Sequence, residues 1–241
     1  ERPVILAGNG IRLANAQEEF LTMVEKLKIP VLTTWGAADL IQEDHELFIC
    51  RPGLFGQRAA NFALQNSDLL IVVGSRLSIP QTGYNYRAFA RTARIVMVDI
   101  DSEELKKERL NVYLPINYDV KGFLKEMNNQ LIDYPKNRFN EWVRRCKDWK
   151  SRYPVVLKEY YDYKTYVNSY VFIDVLCDEL SADDVIVTDM GTSFTCTFQT
   201  FKIKKGQRLF TSSGLASMGF GLPGSIGACF ANGKKRTICI S

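Results

Sequence analysis

Short apolar runs alternate with amphipathic stretches along this chain, and that alternation predicts most of its elements. PVILAGNGI opens with an apolar run and then places Gly8 and Gly10 close together. In the following EEFLTMVEKLKI the apolar residues recur three and four apart, the period of a helix with one buried face. PVLTTWGAAD then reads as a strand entering a loop, RAANFALQNS as a helix, and DLLIVVGSRL as a buried strand that reaches Gly74. ARIVMVDID is a strand ending in acids at Asp99 and Asp101, and YDVKGFLKEMNNQLI supplies a closing helix. Strands that are apolar at nearly every position are buried on both faces. The pattern therefore predicts an α/β fold: a Rossmann-like parallel sheet with helices on both sides, over residues 1–134.

Between 135 and 168 the pattern breaks. Phe139, Trp142, Val143, Cys146 and Trp149 keep helical spacing, after which the chain is Tyr-rich and irregular. This stretch reads as an interdomain helix and linker whose aromatic residues dock on a neighbouring surface. From 169 the alternation resumes: YVFIDVLCDEL is a helix, DVIVTDMG a strand ending at Asp189 and Gly191, and KKRTICIS a strand. Residues 169–241 are accordingly expected to form an incomplete second α/β domain.

One segment of that second domain stands apart. Ser212–Ala228, SSGLASMGFGLPGSIGA, holds five glycines around Pro223. Glycines this dense let a backbone turn sharply and approach a ligand or another helix, because no Cβ intervenes. Pro is tolerated at the first helical position, so a helix is predicted to start at Pro223. A glycine-rich loop feeding a tightly packed helix, with no ligand, is the competing reading.

Composition narrows the function classes. The net charge is only +4, and Lys and Arg form short turns such as KKGQR and GKKRT, so no nucleic-acid partner is expected. No apolar run has the length of a membrane span, which argues against a membrane partner. Six cysteines contain no CxxC pair, as expected of free thiols in a cytoplasmic protein without structural zinc. His45 is the only histidine, so the chain offers no internal general base of the usual kind. The strand–Gly turn–helix at the start is the unit that sets a helix N-terminus beside a ligand's phosphate, although its GxG lacks a third glycine.

SSGLASMGFGLPGSIGA resembles the segment that runs under the cofactor in thiamine-diphosphate enzymes, most closely those of the acetolactate synthase (acetohydroxyacid synthase) large-subunit type. The words AGNG, PVLTTWG, PGLFGQRAANFAL, SDLLIVVGSRL and VDIDSEEL are similar to the middle domain of the same group. The resemblance implies that Ala216 and Met218 present backbone groups to the aminopyrimidine, and that the Met218 side chain wedges between the cofactor's two rings. It implies that Met190, Gly191, Thr192 and Ser193 receive the diphosphate, with Thr192 and Ser193 where Gln and His are common. Gly8, Gly10, Gly74, Arg76 and Asp99, together with Thr34, Leu54, Phe55, Ser75, Ile100 and Asp119, match positions that contact FAD in the middle domain. Ser78, Ile79 and Pro80 stand where FAD-binding members carry two acids and an arginine. Losing that arginine removes a bidentate contact to a diphosphate, which leaves FAD, ADP or no nucleotide open.

The activity implied is thiamine-diphosphate-dependent decarboxylation of a 2-oxo acid such as pyruvate, followed by carbon–carbon ligation. Another decarboxylase or lyase of the superfamily, or a stand-alone nucleotide-binding or interaction module, are the alternatives. The resemblance further implies Mg²⁺ held by a turn that would begin after Ser241, and a catalytic glutamate on an N-terminal pyrimidine-binding domain that would precede Glu1. No catalytic residue and no metal ligand are thus expected in 1–241, and this segment alone is expected to be inactive. A homodimer or homotetramer is the implied assembly.

Overall fold

The computed structural model describes residues 1–135 and 137–241. They form two compact units, one of residues 1–40 and 46–153, the other of residues 41–45 and 154–241.

In the first unit six parallel strands lie in the order β3-β2-β1-β4-β5-β6, namely β1 (Pro3–Ala7), β2 (Val31–Thr33), β3 (Phe48–Cys50), β4 (Leu69–Val73), β5 (Arg94–Asp99) and β6 (Val112–Asn117). All five residues of β1 are buried, as a central parallel strand covered on both faces requires. The connecting helices are α1 (Gly10–Leu13), α2 (Gln17–Leu27), α3 (Arg58–Gln65), α4 (Ile79–Thr82), α5 (Ser102–Leu105), α6 (Val120–Gln130) and α7 (Asn140–Arg152). Side chains start the two helices after β5 and β6: Asp101 accepts the Glu103 N–H at 2.9 Å and Asp119 the Gly122 N–H at 2.9 Å. Pro115 is tolerated because β6 is an edge strand.

The stretch read as a helix and linker contains α7, which belongs to the first unit. Trp142 and Cys146 join its core cluster, and the Trp142 indole N–H donates to the Pro3 carbonyl at 3.0 Å. Trp142 and Trp149 meet edge to face with centroids 5.6 Å apart. The described chain passes to the second unit at Pro154.

The second unit is a three-stranded parallel sheet, β8-β7-β9, of β7 (Val185–Thr188), β8 (Arg208–Phe210) and β9 (Thr237–Ile240). Its helices are α8 (Ser169–Glu179), α9 (Thr192–Thr200) and α10 (Gly221–Ala231). α10 begins two residues before the predicted start, so Pro223 lies inside its first turn and not at its first position. That turn has no carbonyl one turn back to accept a Pro N–H, so the ring costs nothing there either. Among the described residues, no helix is long and apolar enough to cross a membrane.

Candidate functional site

β7 is buried at all four positions and delivers Asp189, Met190 and Gly191 to the C-terminal edge of the second sheet. The Asp189 N–H continues the ladder by donating to the Ile240 carbonyl at 2.9 Å. Gly191 then takes φ +82°, a value that favours glycine, and α9 starts at once with Thr192. The N–H groups that open a helix have no carbonyl one turn back, and they carry the positive end of its dipole. At α9 those groups belong to Thr192 and Ser193, while the Ser193 hydroxyl turns inward and donates to the Met190 carbonyl at 3.1 Å. Met190, Thr192, Ser193 and Cys196 line a cleft of about 420 Å³ beside this helix start. Four of the sequence-predicted residues, Met190 to Ser193, thus form one turn aimed into open space.

The glycine-rich loop stands beside it. Ala216 takes a left-handed φ of +55° and its N–H closes a turn onto the Ser212 carbonyl at 2.9 Å. Gly219, at φ +86°, gives its N–H to the Asp189 carboxylate, 2.9 Å from Oδ1 and 3.0 Å from Oδ2. Met218 sits between these two fixed points with 90% of its surface exposed. A methionine in a core would be covered; this one projects from a tethered loop.

Asp189 does more than end a strand. Its Oδ1 accepts the Met190 N–H at 2.7 Å, and the N–H groups of Phe220 and Gly221, which open α10, also turn toward it. The Met190 bond and then the others hold its carboxyl below the ordinary aspartate range. A Cβ on Gly221 would lie 3.0 Å from both Cβ and N of Asp189, so the two backbones approach tightly here. Two helix N-termini therefore lie at one edge with opposite states: that of α10 is filled by Asp189, that of α9 is open. Sequence reading placed Asp189 at the strand end and missed this tie, because Gly219 lies 30 residues ahead. Thr211, also missed, fastens β8 to the same turn by donating to the Thr188 carbonyl at 3.1 Å.

In the first unit, Gly8, Gly10 and Gly74 meet where the strand order reverses, between β1 and β4, the usual ligand crevice of such sheets. The close approach is between backbones. A Cβ on Gly8 would lie 2.1 Å from the Gly74 carbonyl oxygen. The N–H groups are spent as well: Gly8 donates to Val73 and Gly10 to Gly74, each at 2.9 Å, and Ile11, Arg12 and Leu13 to Gly8 or Asn9. The N–H groups of Gly8, Gly10, Ile11, Arg12 and Leu13 are thus engaged within the fold. Arg76 offers its carbonyl to Lys107, the Asp99 carboxylate accepts the Asp101 N–H at 3.0 Å, and Pro80 receives the Leu54 N–H at 2.9 Å. Among the described residues, no group of three His, Cys, Asp or Glu side chains could hold a metal ion.

Comparison with known proteins adds to this geometry. Residues 1–127 match the family described as "Thiamine pyrophosphate enzyme, central domain", and residues 189–241 the one described as "Thiamine pyrophosphate enzyme, C-terminal TPP binding domain". The chain is 36% identical over its full length to a "Probable acetolactate synthase large subunit" of Methanococcus aeolicus, covering 42% of that protein. It is 34% identical to a protein of the same description from Methanocaldococcus jannaschii and 30% identical to the "Acetolactate synthase isozyme 1 large subunit" of Escherichia coli, covering all of this chain and 41% of each relative. The second match begins at Asp189, the residue that ties the two halves of the site together.

Proposed function

This chain belongs to the thiamine pyrophosphate enzymes, and on that premise we propose that the protein it represents is a decarboxylase and carboligase of the acetolactate synthase type. The chain spans 41–42% of the length of the relatives it matches, so activity, substrate and assembly all belong to this proposal. The observation that carries it is the open N-terminus of α9 beside a tethered loop that projects Met218.

The residues present fit thiamine diphosphate at this edge. Thr192 and Ser193 would hold the diphosphate through backbone N–H groups and the positive end of α9, a helix start being a ready anion site. Gly191 leaves open space where a side chain would stand. Met218 would bear on the cofactor from the loop, with Ala216 offering its carbonyl. When bound, the cofactor supplies the carbanion chemistry that decarboxylation of a 2-oxo acid and ligation to a second carbonyl require. The chain's own share is to bind the anion, fix the loop and fill space at the rings.

Mg²⁺ beside the diphosphate, an N-terminal domain bearing the catalytic glutamate, and a homo-oligomer are further parts of this proposal. Leu222, Ile226 and Phe230 form an exposed apolar row along α10, which supports coverage by further protein. A cytoplasmic location is supported by six free cysteines, two of them, Cys146 and Cys177, pushed up to about 12 and about 11 by burial. Flavin finds little support at the β1–α1 turn, where the N–H groups are already used.

The test is acetolactate formation from pyruvate by the full-length protein with Mg²⁺, with and without thiamine diphosphate. Product that depends on the cofactor is expected; a protein that neither consumes pyruvate nor binds the cofactor would contradict the proposal.

A further inference from the structure

The Asp189 side chain touches both halves of the site. Its Oδ1 receives the Met190 N–H, one residue before the glycine that opens α9, and both its oxygens receive the Gly219 N–H, one residue after Met218. Met218 itself has no packing to fix it, being 90% exposed, and its neighbour Leu215 is 89% exposed. The loop is held from one side by the Ala216 to Ser212 turn, which is local and travels with it. The Gly219 N–H bonds to Asp189 tie this part of the loop to the end of β7, and beside them the Phe220 ring meets Phe210 of β8 edge to face with centroids 6.4 Å apart. The contact is close as well as bonded, since Gly221 packs its backbone directly against Asp189.

We infer that Asp189 is a positioning residue, whose carboxylate sets the place of Met218 relative to the α9 N-terminus by holding the Gly219 and Met190 N–H groups together. The inference rests on the thiamine-diphosphate reading of the loop. It goes beyond that reading by assigning the spacing between diphosphate grip and ring wedge to a residue to which that reading gives no contact with the cofactor. Two opposed requirements meet in it. The wedge has to be uncovered to reach a ligand, so it cannot be anchored by burial; a charged acceptor of backbone N–H groups anchors it without covering it. The same carboxylate occupies the α10 N-terminus, which leaves α9 as the open anion site at this edge.

The experiment uses the full-length protein and two variants, Asp189→Asn and Asp189→Ala, with Asp184→Asn as a control that breaks an ion pair elsewhere in the same unit. Three quantities are read: the thermal midpoint, the rate at which chymotrypsin cuts between Leu215 and Phe220 without ligand, and the calorimetric affinity for thiamine diphosphate with Mg²⁺. A carboxylate that accepts several N–H groups is strong enough that its loss should weaken cofactor affinity at least about tenfold. Both Asp189 variants should also be cut faster within the loop, Asn less than Ala because it keeps one acceptor oxygen. The control should lower the midpoint and leave cutting and affinity unchanged. If wild type binds the cofactor and Asp189→Asn binds equally well, the inference alone is overturned. If wild type does not bind the cofactor, the functional proposal falls and takes the inference with it. Loss of the fold in both Asp189 variants would overturn the inference too, since a purely structural residue behaves that way.

Discussion

The Asp189 carboxylate and the Gly219 N–H, 30 residues apart in sequence, meet at 2.9 and 3.0 Å and place a strand end beside a loop that exposes Met218. A first expectation concerns that methionine. Met218→Ala in the full-length protein should leave the thermal midpoint unchanged, because the side chain covers nothing. The turnover rate should fall by up to about 10²-fold, the scale of positioning losses near a reacting centre. Melting and steady-state rate on the same preparation check it. A collapsed midpoint with a normal rate would make Met218 a packing residue.

Gly8 is expected to behave in the opposite way. Its substitution by Ala drives a Cβ into the Gly74 carbonyl, where 2.1 Å separates ideal positions. Backbone has to move, and overpacking of this kind costs about 1–3 kcal/mol. Urea unfolding of Gly8→Ala should show this loss with cofactor affinity per folded molecule unchanged. Selective loss of ligand binding at full stability would point instead to a ligand at that turn.

Flavin should be absent from the purified full-length protein. The β1–α1 N–H groups are consumed within the fold, and Ser78, Ile79 and Pro80 supply no guanidinium to a diphosphate. A visible absorbance spectrum without a flavin band is expected. One flavin per chain would contradict it.

Acid stability carries a fourth expectation. Asp184 accepts from Arg236 Nε at 2.7 Å and from the Ser181 N–H at 2.6 Å, and Arg236 above all holds its carboxyl below the ordinary aspartate range. A depressed carboxylate stabilises the fold above the unfolded aspartate value, near pH 4, and loses that contribution as pH falls through its lower folded value. Arg236 is half exposed, so solvent screens the pair and its contribution is modest. Asp184→Asn should lower the thermal midpoint at neutral pH and show a shallower decline on acidification than wild type. Parallel acid limbs would contradict this.

The strands and helices with full apolar periods were legible from sequence because each is written locally. β3 and β8 were not, at three residues each, since two alternations cannot be told from chance. β6 hid behind Pro115 and its exposed face. α9 is TSFTCTFQT, built of Thr and Phe that favour strands, so burial of Phe194 and Phe198 overrides local preference there. Of the site, the glycine-rich loop and the turn after β7 stood out by composition and resemblance. The Asp189 tie did not, because no local pattern encodes a bond across 30 residues. For the glycines of the first unit, the sequence suggested approach to a ligand; the close approach of Gly8 and Gly10 to Gly74 was not legible, because it joins residues more than 60 apart.

The central claim is that the α9 N-terminus and the Met218 loop together receive thiamine diphosphate. Amide hydrogen exchange of the full-length protein, measured with and without thiamine diphosphate and Mg²⁺, tests it most directly. Slower exchange over Gly191–Ser193 and Gly214–Gly219, with no change at Gly8–Leu13, is the predicted result. Protection confined to Gly8–Leu13, or no protection at either place under conditions where the cofactor is bound, would contradict it.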